Sequence, residues 1–177
     1  MVSRSERGPM MEGGPVISEK VVHTRRIAKV VKGGRHLRFN AMVVIGNGEG
    51  MVGVGLGKAK AIPDAVRKGS ATAKKNTVTI PLKGSTIPQE TLAKFGSSIV
   101  LIKPAPPGTG LIASGAVRSV LDAAGVKDAV AKSLKSRNPI NVIYATMEAL
   151  KELKDPAVEL AKRRGIPTSP STVADTA

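Results

Sequence analysis

Glycine occupies every second position of one short apolar run, Val52-Gly53-Val54-Gly55-Leu56-Gly57. Successive side chains of an extended strand point to opposite faces of a sheet, so the three glycines share one face. A strand face that carries no side chains allows another part of the backbone to approach closely. The run therefore predicts a strand at residues 51–56 that packs at short distance against a neighbouring element.

Two more strands are predicted ahead of this one. Residues 21–31 and 36–45 are rich in valine, isoleucine and other strand-forming residues. Between them stands Lys32-Gly33-Gly34-Arg35. Paired glycines between two such runs are typical of a hairpin, because its tight turn requires positive φ. We therefore expect these two strands to pair through a turn at the glycines.

A helix is predicted at residues 58–76, after the glycine-rich strand. Pro63 suits the first turn of a helix. Small and apolar side chains recur at the spacing of one helical face, and they are Ile62, Ala65, Val66, Gly69 and Ala73. We expect this face to pack inward. The first domain, at residues 19–76, is thus predicted to contain three strands and a helix.

A second domain is predicted at residues 77–154, where short β-rich runs alternate with stretches of helical periodicity. Gly125 and Asn138 support the helix boundaries, since glycine favours the C-terminal and asparagine the N-terminal capping position. The expected elements are, in order, strands at 77–82 and 97–103, a helix from 109 or 110 to 124, a strand at 126–134 and a helix from 139 to about 154.

The two ends of the chain are predicted to lie outside these domains. Residues 1–18 are polar and rich in glycine and proline, which favours a disordered arm. Residues 155–177 are expected to form a short helix followed by a tail. The sequence contains no cysteine, and no apolar stretch approaches the roughly 20 residues of a membrane-spanning helix. We therefore expect a cytoplasmic protein without a membrane span.

The strongest functional signal is positive charge. The chain carries 28 Lys and Arg against 13 Asp and Glu, a formal net charge of +15. Such an excess favours a polyanionic partner, because cations that neutralise phosphates release counterions. The residues predicted to bind RNA in the hairpin are Arg25, Arg26, Lys29, Lys32, Gly33, Gly34, Arg35 and Arg38. The others are Lys58, Lys60, Arg67, Lys68, Lys74, Lys75 and Arg118.

A second interpretation of the hairpin charges stays open, since charged side chains also protect an exposed strand edge from aggregation. The scarcity of aromatic residues bears on the mode of binding. Phe39, Phe95 and Tyr144 are the only ones, whereas proteins that bind single-stranded nucleic acid stack bases on aromatic side chains. We expect phosphate contacts and RNA shape to dominate recognition.

The sequence contains no motif that predicts an enzyme or a bound cofactor. Glycines at 48, 50 and 53 have the spacing of a dinucleotide-binding fingerprint, but a strand follows where a helix is required. Residues 53–58 lack the glycine spacing of a phosphate-binding P-loop, and Ala59 stands where Ser or Thr would hold magnesium. His23 and His36 have no acidic neighbour in sequence. We expect a protein that is not an enzyme and uses no metal.

One segment allows two interpretations. Gly108-Thr109-Gly110 precedes a predicted helix, and the free N–H groups at a helix start can bind phosphate. The same residues could equally form a capped helix start with close packing.

Several motifs occur in a specific order between residues 19 and 164. In the first domain they are Val30-Val31-Lys32-Gly33-Gly34-Arg35 and Val52-Gly53-Val54-Gly55-Leu56-Gly57-Lys58-Ala59. In the second they are Gly84-Ser85-Thr86-Ile87-Pro88, Lys103-Pro104-Ala105, Gly108-Thr109-Gly110-Leu111-Ile112-Ala113, Gly115-Ala116-Val117-Arg118 and Asn138-Pro139-Ile140-Asn141-Val142. Together they resemble the family of the fifth protein of the bacterial small ribosomal subunit.

The resemblance implies an α+β fold. Its N-terminal domain would be double-stranded-RNA-binding-like, with three strands and a helix. Its C-terminal β-α-β-α domain would contain a left-handed βαβ crossover, a hand that is rare and that the sequence itself does not reveal.

The resemblance also implies a structural constituent of the small ribosomal subunit. Such a protein would bind small-subunit ribosomal RNA, contact the fourth and eighth proteins of the subunit, and support assembly and decoding accuracy. It would help to line the path by which messenger RNA enters, and its loop at residues 32–35 would lie near the spectinomycin site. The alternative hypothesis is a free-standing RNA chaperone or double-stranded RNA-binding protein. An enzyme is a third hypothesis, although fold does not carry function.

Overall fold

The computed structural model describes residues 17–164 and confirms the predicted α+β class. In this part of the chain, strands and helices follow the order β1 Ser18–Val31, β2 Gly34–Gly46, β3 Met51–Ala59, α1 Ile62–Lys75, β4 Thr77–Thr79, β5 Thr91–Phe95, β6 Ser98–Pro104, β7 Leu111–Ile112, α2 Gly115–Ala124, β8 Ala129–Ser133, α3 Pro139–Lys151 and α4 Pro156–Arg163.

The first sheet has the strand order β1-β2-β3-β4, with every neighbouring pair antiparallel. Residues paired directly across antiparallel strands share a face. Ala41, Val43 and Ile45 of β2 therefore lie on one face together with their β3 partners Gly57, Gly55 and Gly53. This face carries α1, and we call it the helix-side face.

The glycine stripe of β3 brings α1 unusually close to the sheet. A Cβ atom placed on Gly57 would lie 1.8 Å from the carbonyl oxygen of Ala65, and one on Gly55 would lie 2.1 Å from that of Gly69. Neither distance is compatible with a side chain, because both contacts are with the helix backbone. The predicted close packing against this strand is confirmed, and its partner is α1.

The opposite face of the first sheet belongs to a core shared with the second domain, and we call it the domain-side face. Met42, Val44, Val52 and Val54 are buried there in one cluster with side chains of α2, α3 and the second sheet. The first sheet is therefore a layer between α1 and the second domain.

A turn after β2 joins the two domains through backbone hydrogen bonds. The Gly48 N–H donates to the Ala123 carbonyl over 3.1 Å, and the Gly50 N–H donates to the Ala124 carbonyl over 2.8 Å. These carbonyls lie in the last turn of α2, where helical partners are lacking. Gly125 ends the helix with a φ of 86°, and a Cβ there would lie 1.9 Å from the Gly48 carbonyl oxygen.

The second sheet has the strand order β5-β6-β8-β7. Strands β7 and β8 are parallel and are connected through α2, so they form a β-α-β unit. The left-handed sense of this crossover stays a prediction. Helix α3 packs against β5 and β6.

Several predicted boundaries were wrong. Thr77–Thr79 pairs with β3 and so belongs to the first sheet, which has four strands in the described residues. Lys58 and Ala59 continue β3, where they pair with Asn40 and Phe39, so α1 begins four residues later than predicted. Helix α2 begins at Gly115 and not at Thr109 or Gly110, because Gly108 and Gly110 have φ values of 91° and 74° that no α-helix accommodates.

Other differences concern short elements and the ends of the chain. Strands β5 and β7 were not predicted, and α3 ends at Lys151 instead of near residue 154. The predicted arm at residues 1–18 is contradicted at Ser18, which begins β1. The rest of that arm before residue 17, and the tail after residue 164, lie outside the described residues. The short helix predicted after residue 155 is present as α4.

Candidate nucleic-acid interface

The β1–β2 hairpin places positive charge on both of its faces. Ile27 pairs with Arg38, so these two residues share a face. Arg25 and Lys29 each lie two positions from Ile27 along β1, and they therefore face the same side as Arg38. Arg26 and Arg35 point to the other side, which is the helix-side face. All five side chains are exposed, as is Lys32 in the turn. None of the six forms a salt bridge within residues 17–164.

The turn of the hairpin depends on one glycine and not on two. Gly33 has a φ of 86°, a conformation that L side chains rarely adopt. Gly34 is already the first residue of β2, has no positive φ, and a Cβ there would meet nothing within 4 Å. The hairpin itself is present as predicted. The expectation that its turn lies at the two glycines was wrong, since the two-residue turn consists of Lys32 and Gly33.

The outer face of α1 is a second basic surface. Its four predicted cations are exposed, and they are Arg67, Lys68, Lys74 and Lys75. Arg67 lies 3.6 Å from Asp64, but both side chains are largely exposed, so the ion pair leaves the guanidinium accessible. The opposite face is buried at Ala65, Gly69 and Ala73 as predicted.

The prediction that Ile62 packs inward was wrong. It is 43% exposed because it stands one turn ahead of Ala65, the first residue of α1 that the sheet covers. The predicted helical residues Lys58 and Lys60 lie at the end of β3 and in the following loop, and both are exposed. Lys58 pairs with Asn40 and so shares the domain-side face with Arg25, Lys29 and Arg38.

Arg118 belongs to a separate cationic site in the second domain. Its Nη2 donates to the Leu111 carbonyl over 3.0 Å. It lines a cavity of about 710 Å³ together with Lys132 and Arg137, two exposed cations that sequence reasoning missed. Lys132 lies in β8, where buried and exposed positions alternate, and the signal available in the sequence is its charge, because lysine is rarely buried.

The segment Gly108-Thr109-Gly110 forms an internal contact. The N–H groups of Gly108 and Gly110 donate to Oδ1 of Asp128 over 3.0 and 2.9 Å. A hydrogen bond from Ser85 and those from the loop hold the pKa of Asp128 below its ordinary value, because they stabilise its charged form. These N–H groups are occupied by a carboxylate of the same chain, which argues against phosphate binding. The alternative, a capped helix start, was wrong as well, because α2 begins five residues after Gly110, at Gly115.

Groups of three or more His, Cys, Asp or Glu that could hold a metal are absent from residues 17–164. Among the same residues, none of the helices combines the length and the apolar character needed to cross a membrane.

Comparison with protein families agrees with this architecture. Residues 17–81 match the model for the N-terminal domain of ribosomal protein S5, and residues 93–164 match the model for its C-terminal domain. The two matches follow each other in the order of the two domains and together cover more than three quarters of the chain. The chain therefore belongs to the ribosomal protein S5 family and is an RNA-binding protein of the small ribosomal subunit.

Proposed function

We propose that this chain binds small-subunit ribosomal RNA mainly through the β1–β2 hairpin and the outer face of α1. The observation that carries the proposal is the hairpin itself. Six cations are exposed along it, on both faces and in the turn, and no acidic side chain pairs with them in the described residues. Unpaired cations on a narrow projection favour insertion between phosphate backbones.

Each basic surface has a distinct geometry for phosphates. A hairpin with cations on both faces can meet RNA on two sides at once, and Gly33 allows the backbone at its tip to approach closely. Helix α1 presents one cationic face and is held against the sheet by the glycine stripe. Phosphate contacts of this kind fix the position of a protein on RNA but do not read sequence.

The aromatic residues support recognition by charge and shape. Phe95 and Tyr144 pack against each other with ring centroids 5.0 Å apart. Phe39 is partly buried in β2. None of the three forms an open platform on the basic surfaces, where bases could stack.

The remaining elements of the proposal follow from family membership. The chain would support subunit assembly, decoding accuracy and the path by which messenger RNA enters, and would contact the fourth and eighth proteins of the subunit. It would act without catalysis and without a cofactor, in the cytoplasm as part of the ribosome.

Sedimentation of cell extracts tests this proposal. We expect the wild-type chain to migrate almost entirely with small subunits. Replacing Arg25, Lys29 and Arg38 with glutamine should move a large fraction to the top of the gradient. The matched control replaces, also with glutamine, three lysines of the second domain that pair with glutamates, and they are Lys103, Lys151 and Lys154. This control variant should remain with the subunits. Equal behaviour of the two variants would contradict the role given to the hairpin, and a wild-type chain that sediments alone would favour a free-standing RNA-binding protein.

A further inference from the structure

Asn40 is a buried polar residue without a hydrogen bond on its carbonyl oxygen. Its side chain is 6% exposed, and Oδ1 has no partner among the described residues. Buried polar side chains are nearly always hydrogen-bonded, because an unsatisfied group destabilises the fold. Ser70, Ser98, Ser119 and Thr146 follow the rule in this chain by donating to carbonyl or carboxylate oxygens. Asn40 and Thr91 are thus exceptions among the described residues, and Asn40 is the one that lies in the strand carrying the basic hairpin.

The position of Asn40 in the first sheet supplies a reason for this exception. It pairs with Arg25 on β1 and with Lys58 on β3, so the three residues form a row across three strands on the domain-side face. Both flanking cations are exposed and lack an ion pair in residues 17–164. Arg38 lies on the same face two residues along β2. The unsatisfied oxygen is therefore at the centre of a group of cations.

A second unpaired atom lies beside this row. His23 pairs with Met42, which places it diagonally opposite Asn40 on the same face. Its Nε2 is buried and has no partner among the described residues. Two neighbouring side chains on one face thus retain hydrogen-bonding capacity that the protein itself does not use.

We propose that Asn40 accepts a hydrogen bond from RNA, from a ribose 2′-hydroxyl or from a base N–H group, between cations that bind the adjacent phosphates. The inference rests on the proposed binding of ribosomal RNA. Phosphate oxygens are acceptors and cannot satisfy a carbonyl, whereas ribose and base edges provide donors. Arg25 and Lys58 flank Asn40 on the two neighbouring strands, and their long flexible side chains can reach phosphates on either side of it. Asn40 would then recognise a hydrogen-bond donor of the RNA, on a surface where the surrounding side chains recognise only the negative charge of phosphates.

The test compares Asn40→Leu, which keeps the number and branching of the side-chain heavy atoms, with Thr91→Val. Thr91 is also buried with an unpaired oxygen, but it lies in β5 of the second domain. Neither substitution should lower the unfolding temperature, since each removes an unsatisfied polar group. Binding is measured with particles reconstituted from small-subunit RNA and the other subunit proteins.

We expect Asn40→Leu to raise the Kd about three- to tenfold, the effect of one net hydrogen bond. The increase should be the same at every salt concentration, because no charge is lost. Lys58→Gln should instead make the negative slope of log K against log salt shallower by about 1, because one phosphate contact is lost. Thr91→Val should bind as the wild type does. If Asn40→Leu is poorly folded, Asn40→Ala replaces it in the same comparison.

Modified RNA distinguishes the two sources of the hydrogen bond. Particles are made with 2′-deoxynucleotides, or with purines that lack the exocyclic amino group, scattered through the RNA. A ribose contact predicts one deoxy position that weakens the wild-type chain but not Asn40→Leu. A base contact through a purine amino group predicts the same pattern for one amino-deleted purine, and a loss for Asn40→Leu with neither pattern leaves the other base N–H groups as the donor. Wild-type binding with an unchanged Kd for Asn40→Leu overturns this inference alone, whereas a wild-type chain without salt-dependent binding overturns the proposed function.

Discussion

Replacing Gly57 with alanine would put a methyl group inside the contact between β3 and α1. The new Cβ would lie 1.8 Å from the carbonyl oxygen of Ala65 and 2.5 Å from the backbone nitrogen of Gly69. Contacts below 3.0 Å essentially never occur for a Cβ atom, so the helix and the strand must separate by more than an ångström. Both atoms belong to the backbone, and no side-chain rotation relieves the overlap.

The cost of this change can be estimated from other overpacked cores. Adding carbon atoms to a well-packed interior typically costs about 1–3 kcal/mol. Because backbone meets backbone at Gly57, we expect a loss near the upper end, about 3 kcal/mol. For a protein of this size, that loss corresponds to a decrease in melting temperature of about 6–12 °C.

Thermal unfolding followed by circular dichroism tests this prediction. Gly34→Ala and Gly115→Ala are the matched controls, because a Cβ at either position meets nothing within 4 Å and neither glycine has a positive φ. Both controls should keep the wild-type melting temperature or raise it slightly. If Gly57→Ala melts with the controls, the close packing of α1 on the glycine stripe is not what holds this helix in place.

Three further predictions concern charge, the turn and pH. Replacing the four exposed cations of α1, Arg67, Lys68, Lys74 and Lys75, with alanine should change the melting temperature little but weaken association with ribosomal RNA; a large loss of stability with normal binding would show a structural role. Gly33→Val should strain the hairpin turn and reduce spectinomycin sensitivity in cells with this sole copy, whereas Gly34→Val should not; equal sensitivity of both strains would contradict the functional role of the loop. Asp128→Asn should destabilise the protein at neutral pH. Since folding lowers the pKa of Asp128, its charge stabilises the wild type above the ordinary carboxyl pKa of about 4, and this contribution is lost as the pH falls through the lowered value. Unfolding of both proteins between pH 7 and pH 3 should show the difference shrinking with acidity, and a constant difference would refute the role of the charge.

Sequence patterns predicted those parts of the fold that depend on local chemistry. The alternating glycines identified a closely packed strand, and Gly125 correctly marked the end of α2 because its left-handed conformation favours glycine. The pairing of Thr77–Thr79 with β3 could not be predicted in the same way. Three residues carry too little periodicity, and the partner strand is distant in sequence. Strand β7 was not predicted either, because two residues show no periodicity.

The exposed cations of the candidate interface could be predicted from the sequence, whereas its buried polar residue could not. The exposed cations of the hairpin follow from the sequence, because lysine and arginine are rarely buried. The unpaired oxygen of Asn40 does not, since it depends on the register that places this residue between Arg25 and Lys58. Likewise, the sequence left Gly108 and Gly110 between two interpretations, phosphate binding and a capped helix start, and neither anticipated that their N–H groups bind Asp128, 18 and 20 residues away.

The salt dependence of binding tests the central claim most directly. The measurement is the equilibrium constant for association of the chain with reconstituted particles that lack it, determined between low and physiological salt. If the hairpin binds phosphates, log K should fall linearly with log salt, with a slope of roughly −0.7 to −0.9 for each phosphate contact. Replacing all six hairpin cations with glutamine should make that slope shallower by roughly 4–5. A slope that is nearly flat for the wild-type chain, or unchanged in the six-fold variant, would contradict RNA binding through this hairpin.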